Sequence, residues 1–334
     1  MPTALTRRRL AQVLRAAARQ RVVVVGDAML DVYLYGEVER ISPEAPVPVV
    51  RVRERRLALG GAANVAQNVA ALGARCELVS VVGRDTSAQT LRGMLSEIGA
   101  PARGLVAIQR PTTTKTRVLA RVQQVVRFDE EEDEELSAED AARVRTAVRR
   151  AVADADAVVL EDYNKGVLTP TVIGDALEAA RKRGIPVIVD PKYRNFFAYR
   201  GSTVFKPNRR ELESALGAAV DLDHPAALPA AVERLGVQHL LLTLGERGMV
   251  LVSSDGTTHR VQSTAREVYD VVGAGDTVTA YLAATLAAGA SAPEAAMIAN
   301  FAAGVEVGKL GAATVRAREV LAAFDEYHAH RRTA

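Results

Sequence analysis

Short apolar runs, each closing on a glycine or a polar residue and spaced by stretches of helical periodicity, recur through the chain and constrain its fold more than any other feature. Val22–Val25 ends in Gly26 and Asp27, and Leu78–Val82, Ala157–Leu160, Pro186–Val189, Thr203–Phe205 and His239–Thr243 repeat the pattern. Runs this short and this continuously apolar suit strands buried on both faces. Between many of them, Thr86–Ile98, Pro170–Arg183 and Pro225–Leu235 read as helices. The alternation predicts an α/β fold: a doubly wound, mainly parallel sheet flanked by helices, with ligands bound beyond the carboxyl ends of its strands. The chain has 334 residues, 49% of them hydrophobic, enough for one large core. No repeat or low-complexity linker divides it, so residues 1–334 read as a single domain. Alanine-rich helices fill the last third, over Thr277–Ala288, Ala292–Val307 and from Arg316 onward.

Two segments break the rhythm. Gly36–Leu59 carries three prolines and the alternation Val47-Pro-Val-Val-Arg-Val-Arg, and Gly104–Phe128 carries TRVLARVQQVVRF. Both read as strands of a small separate sheet forming a lid, whose edges and apolar face a second copy of the chain would cover in a homodimer. The acidic run from Asp129 to Glu135 reads as a solvated turn into a helix over Ala138–Val152.

Composition narrows the class. No apolar run reaches eighteen residues, and the N-terminal segment Met1–Arg21 is a basic amphipathic helix without the apolar core of a signal peptide, which places the protein in the cytoplasm, away from membranes. The lone Cys76, in an apolar run, excludes an internal disulfide and reads as a buried thiol. A net charge of +3, few aromatics and no Trp offer nucleic acid no footprint. Lysine is scarce: of 43 basic residues six are lysines, Lys115, Lys165, Lys182, Lys192, Lys206 and Lys309, and four of these fall in segments that look like loops around a site. A compact ammonium there suits phosphate as a point charge, and chance use of lysine is the plainer account.

The strongest motif is Asp270-Val-Val-Gly-Ala-Gly-Asp276-Thr, ahead of an apolar helix. Gly273, Ala274 and Gly275 free the backbone to aim N–H groups at an anion, and the helix adds its positive end. A carboxylate beside a bound phosphate is repelled by it, unless Asp276 takes a proton from an attacking hydroxyl; otherwise it is a first-turn acid on the helix dipole. Asn208-Arg209-Arg210-Glu211 opens a helix after a strand, where Glu211 can hold a Mg2+-bound water; the same spacing is a capping box. Thr243-Leu-Gly245-Glu-Arg-Gly248 is a glycine-bearing turn suited to a nucleotide, or an ordinary hairpin. Asp27, Asp31, Gly60, Gly61 and Asn64 supply the paired acceptors and donors that vicinal sugar hydroxyls need, or plain turn and cap chemistry. Asp162 with Lys165, and Asp190 with Lys192, end further strands as acid–lysine pairs, either salt bridges or a seat for a substrate-borne phosphate.

In this order and spacing, the early Gly-Gly with Asn64, the N-x-x-E, the T-x-G turn and the late GAGD run resemble the ribokinase-like (PfkB) sugar kinases over almost the whole chain. The resemblance implies Asp276 as catalytic base, Gly273 to Gly275 as anion hole, and Asn208 and Glu211 near Mg2+ and ATP. It also implies Thr243 and Gly245 at the nucleotide, with Asp27, Asp31, Gly60, Gly61 and Asn64 at the sugar. A narrower likeness lies in RISPEAPVPVV (Arg40–Val50), LGGAANVAQNVAALG (Leu59–Gly73), EDYNKGVLT (Glu161–Thr169), DPK (Asp190–Lys192) and NFAAGVEVGKLGAATV (Asn300–Val315). These are similar to kinases of D-glycero-β-D-manno-heptose 7-phosphate, which phosphorylate the anomeric hydroxyl in ADP-heptose synthesis for lipopolysaccharide. That likeness adds Asn300 to the expected nucleotide site and implies a sugar phosphate as substrate, with adenylylation left to a separate protein. Glu161 stands where that family often has Ser, and Lys206 where it has a small polar residue. Competing readings are a ribokinase-like kinase for another sugar, or a sugar or nucleotide sensor of the same fold without catalysis. A nicotinamide dehydrogenase is disfavoured, because the first strand leads into GDAMLD rather than a glycine triplet.

Overall fold

The computed structural model describes residues 5–121, 123–265 and 267–333. The start of the expected N-terminal helix, residues 1–4, lies outside them; the helix itself, α1, runs Arg7–Ala17, with the Thr6 hydroxyl accepting from the Arg9 N–H at 3.2 Å. The first half continues through β1 (Arg21–Gly26), β2 (Ala28–Ile41), β3 (Pro48–Gly61), α2 (Ala62–Leu72), β4 (Arg75–Val82), α3 (Thr86–Glu97), β5 (Leu105–Ala107), β6 (Thr114–Ala120), β7 (Gln123–Glu130) and α4 (Ala138–Val152). The second half holds β8 (Ala157–Glu161), α5 (Pro170–Arg183), β9 (Val187–Asp190), β10 (Val204–Phe205), α6 (Arg209–Leu216), α7 (Ala227–Leu235) and β11 (His239–Thr243). It ends with β12 (Met249–Ser253), β13 (Thr258–Val261), α8 (Ala274–Ala287), α9 (Ala292–Glu306) and α10 (Ala317–Thr333).

Nine strands form the large sheet in the order β13-β12-β11-β10-β9-β8-β1-β4-β5. All its pairings are parallel except β11–β12 and β12–β13. The apolar strands are continuous because both faces are covered. Val22 and Val24 enter the core beneath α1, α2, α8 and α9, while Val23 and Val25 enter the one beneath α4, α5 and α7. All four are fully buried, worth roughly 1.5–3 kcal/mol each relative to exposure.

Four strands form the small sheet, in the order β3-β2-β6-β7. It is wider than the sequence reading. It begins at Ala28, because β2 follows β1 with Asp27 alone between them, and Leu105–Ala107, expected in the lid, pairs with Ser80–Val82 as an edge strand of the large sheet. The two faces of the small sheet differ in chemistry, as period-two alternation requires. In register across it lie Leu57, Val32, Thr116 and Phe128 on an apolar face, and Asp31, Lys115 and Asp129 on a polar one.

Candidate active site

Gly26, Glu161, Asp190, Lys206 and Thr243 stand together at the carboxyl ends of parallel strands, as a doubly wound sheet directs. The amino end of α8 meets them. It begins at Ala274, three residues before the sequence reading, so that Asp276 is inside its first turn. Gly273 caps the helix at φ 96°, a conformation that disfavours a side chain, and a Cβ there would stand 3.0 Å from the Asn64 amide nitrogen. The N–H groups of Gly275 and Asp276 have no carbonyl inside the helix to accept them, which leaves them free to face an anion.

Asp276 is 5% exposed, and each carboxylate oxygen has one donor: Asn64 Nδ2 at 2.7 Å on Oδ2 and Tyr163 OH at 2.8 Å on Oδ1. Burial pushes its pKa up to about 6 against those two hydrogen bonds, with Asp190 adding to the rise and Lys206 opposing it. The carboxylate therefore titrates where a general base is useful, instead of near 4. Asn68 orients Asn64, its amide reaching the Asn64 carbonyl at 3.1 Å and side-chain oxygen at 3.3 Å, and Thr277 donates to Asn68 at 3.2 Å. Nothing local in the sequence marked Tyr163 or Asn68 for these tasks.

Around Asp276 lies a buried charge cluster. Ligand oxygens of Glu161, Asp190 and Asp276 lie within 4.8 Å of one another, and Lys206 Nζ is 2.7 Å from Asp190 Oδ2. Burial, then Asp190 and Asp276, push the Glu161 carboxyl well above the usual range, and neither of its oxygens has a hydrogen-bond partner. Burial works to lower the Lys206 pKa, but Asp190 and then Glu161 outweigh it and raise it. The two departures noted in the sequence, Glu161 and Lys206, thus flank Asp190, the first in register with it across β8 and β9 and the second ion-paired to it.

Beyond the first turn of α8 opens a cleft of about 710 Å³, lined by Asn208, Thr243, Gly245, Gly248, Gly275 and Asn300 together with apolar side chains that include Val268, Val271 and Val278. Its volume and mostly apolar walls match a nucleotide-sized ligand. Asn300 closes one edge through Gln262 O at 2.9 Å. The Thr243–Gly248 segment is the hairpin turn between β11 and β12, and it also walls the cleft. Asn208 and Glu211 do form a capping box, at 2.8 Å in both directions, and Asn208 also lines the cleft. Arg209 and Arg210 do not reach it. Helix geometry turns Arg209 outward to Glu213 at 2.8 Å, and Arg210 is exposed.

Several expected sugar ligands have structural partners. Asp27 accepts from the N–H groups of Tyr163 (2.8 Å), Lys165 (3.0 Å) and Val167 (3.1 Å), so it shapes the loop that carries Tyr163. Asp162 accepts from Asn164 N–H at 2.8 Å and Tyr199 OH at 2.7 Å, away from the cleft. Asp31 pairs with Arg117 at 2.6 Å, and Gly60 leaves it room, since a Cβ there would stand 2.5 Å from its carboxylate. A Cβ on Gly61 would meet Asp27 O at 2.4 Å. Lys165 and Lys192 pair with different acids. Lys165 reaches Glu131 at 2.6 Å, while Lys192 pairs with Glu211 and lies 5.4 Å over the Tyr163 ring.

A family model described as pfkB family carbohydrate kinase matches residues 19–318. The chain belongs to the pfkB family of carbohydrate kinases. This pfkB kinase is 45% identical over 321 residues to the bifunctional protein HldE of Rhodospirillum rubrum, covering 95% of this chain and 64% of that protein. It is 47% identical over 319 residues to HldE of Caulobacter vibrioides, covering 94% of this chain and 65% of that protein. The chain thus spans about two thirds of the length of these relatives. Two solved structures share the fold of this pfkB kinase: Arabidopsis thaliana ribokinase complexed with ribose and ATP (TM-score 0.71, 23% identity, 91% of this chain and 98% of that one) and Escherichia coli phosphofructokinase-2 in complex with potassium (TM-score 0.75, 19% identity, 92% and 99%).

Proposed function

We propose that this pfkB kinase transfers the γ-phosphate of ATP to the anomeric hydroxyl of D-glycero-β-D-manno-heptose 7-phosphate, giving the 1,7-bisphosphate used in ADP-heptose synthesis. The observation that carries the phosphotransfer is Asp276, held by Asn64 and Tyr163 at the mouth of the helix-α8 anion hole. The sugar hydroxyl gives its proton to Asp276 as its oxygen bonds the γ-phosphorus and the bond to ADP breaks. The anion hole then faces the charge that develops on the phosphoryl oxygens. The heptose assignment rests on the motif likeness and on the kinship with HldE.

Mg2+ favours hard oxygen donors, and the Glu211 carboxylate, capping the helix whose Asn208 lines the cleft, would hold the ion through a water. Bound with ATP, the ion neutralises phosphate charge. Cytoplasmic location follows from the pathway, and no helix among the described residues is long and apolar enough to cross a membrane. The small sheet is read as the lid and as a homodimer interface, because Leu57, Val126 and Phe128 extend its apolar face into solvent at 39%, 49% and 48% exposure. Phosphorus NMR of the product tests the reaction: a new phosphate resonance coupled to the anomeric proton supports it, and phosphorylation at another carbon rejects it.

A further inference from the structure

The acidic run that ends β7 and follows it is exposed at every position but Glu131, as a solvated segment should be, yet cations from two parts of the molecule hold it at Glu131. Glu131 is the centre of this contact. Lys165 Nζ, from the loop after β8, lies 2.6 Å from its Oε1, and Lys115 Nζ, from the polar face of the small sheet, lies 3.6 Å from its Oε2. Lys115 also approaches Asp129 at 3.6 Å. The lysine side chains are 16% and 13% exposed, so both ammonium groups are largely shielded from water. Farther along the segment, Arg194 lies 3.2 Å from Asp133 Oδ2, and Arg110 Nη1 donates to Glu134 O at 3.1 Å, while its other terminal nitrogen, Nη2, is buried without a partner.

Position connects this contact with the acceptor sugar. Tyr163 bonds the catalytic carboxylate, and Lys165 is two residues along the same Asp27-held loop, a span of at most about 7 Å. Lys115 lies in register with Asp31, on the face of the small sheet that carries Asp31 and Arg117. A molecule with its reacting hydroxyl at Asp276 and its far end under the small sheet would end between these two lysines. A carboxylate presents two anionic oxygens to a pair of ammoniums much as a phosphate does, though with less charge.

We propose that Lys115 and Lys165 form the seat for the distal phosphate of the acceptor sugar, and that Glu131 occupies the seat until the phosphate displaces it. This rests on the reading of the substrate as a sugar phosphate. It replaces the Lys165–Lys192 pairing expected from sequence, since Lys192 belongs to Glu211. The Glu131–Lys165 contact ties the small sheet to the body, and its exchange for phosphate makes the position of that sheet respond to a phosphorylated sugar.

Two arms test it on the full chain. In the first, the nucleotide cleft is filled with a non-hydrolysable ATP analogue and the rise in Tm is titrated with inorganic phosphate at constant ionic strength. Half-saturation should fall about three- to tenfold in Glu131→Gln and rise about tenfold or more in Lys115→Ala and Lys165→Ala, as expected for a charge-assisted contact. In the second, KM for heptose 7-phosphate should move in the same directions while KM for ATP holds. Identical phosphate titrations in all four proteins would overturn the proposal. Wild-type protein that phosphorylates free sugars alone would instead reject the substrate reading, while the phosphate titration still decides the seat.

Discussion

Replacing Tyr163 with Phe removes one of the two hydrogen bonds on the Asp276 carboxylate and leaves the ring, its packing and the Asn64 bond in place. The Tyr163 hydroxyl donates at 2.8 Å to a fully buried acid, so solvent does not screen the contact. A hydrogen bond to a charged group is worth about 1.5–3 kcal/mol, and 1.36 kcal/mol corresponds to one pH unit of titration. Tyr163 lowers the pKa of Asp276, so its loss raises it further above about 6. The sign follows: the base works when ionised, so kcat/KM falls as pH drops through its pKa, and in Tyr163→Phe that acid limb should lie about one to two pH units higher. Near pH 7 the variant should lose about half to nine-tenths of its activity, and by pH 9 it should approach wild type. The assay is kcat/KM for the sugar from pH 5 to 9. An unmoved limb with a constant loss at every pH would refute the reasoning, because Tyr163 would then act on substrate placement and not on the base.

Asp276→Asn should keep nucleotide and sugar affinity by calorimetry while turnover falls by several orders of magnitude, and turnover near wild type would remove Asp276 from its role. Lys206→Ala leaves Asp190 buried without its cation; urea unfolding should show a loss of about 3–5 kcal/mol, and a loss under about 1 kcal/mol would count against a buried pair. Val126→Glu with Phe128→Glu should turn a dimer in sedimentation velocity into a monomer, whereas a wild-type monomer at micromolar concentration would contradict the interface.

What the sequence revealed was what short-range pattern controls. The β1 valines announce a two-sided buried strand because alternate residues feed two cores, and Asp270–Thr277 announces an anion hole because glycines and a helix start are adjacent in the chain. The fate of single polar groups was less legible, since it depends on distant donors. Asp27 looks like a sugar ligand until the N–H groups of Tyr163, Lys165 and Val167, more than 130 residues away, take up both its oxygens. Arg209 shares a motif with Asn208, yet one step along the helix turns it to Glu213 and out of the cleft. Lys165 and Lys192 look equivalent after their strand-end acids, and the fold sends one to the small sheet and the other to the nucleotide side. Glu161 and Lys206 were both noticed as unusual, but their placement beside Asp190 requires the register of β8, β9 and β10.

ADP release from ATP, measured across heptose 7-phosphate, the free heptose, ribose, fructose and their phosphates, tests the central claim most directly. The account predicts the highest kcat/KM for heptose 7-phosphate, with the free heptose weaker by about tenfold or more for want of the distal phosphate contact. A free sugar used faster than heptose 7-phosphate, or ADP release that no sugar stimulates, would contradict it.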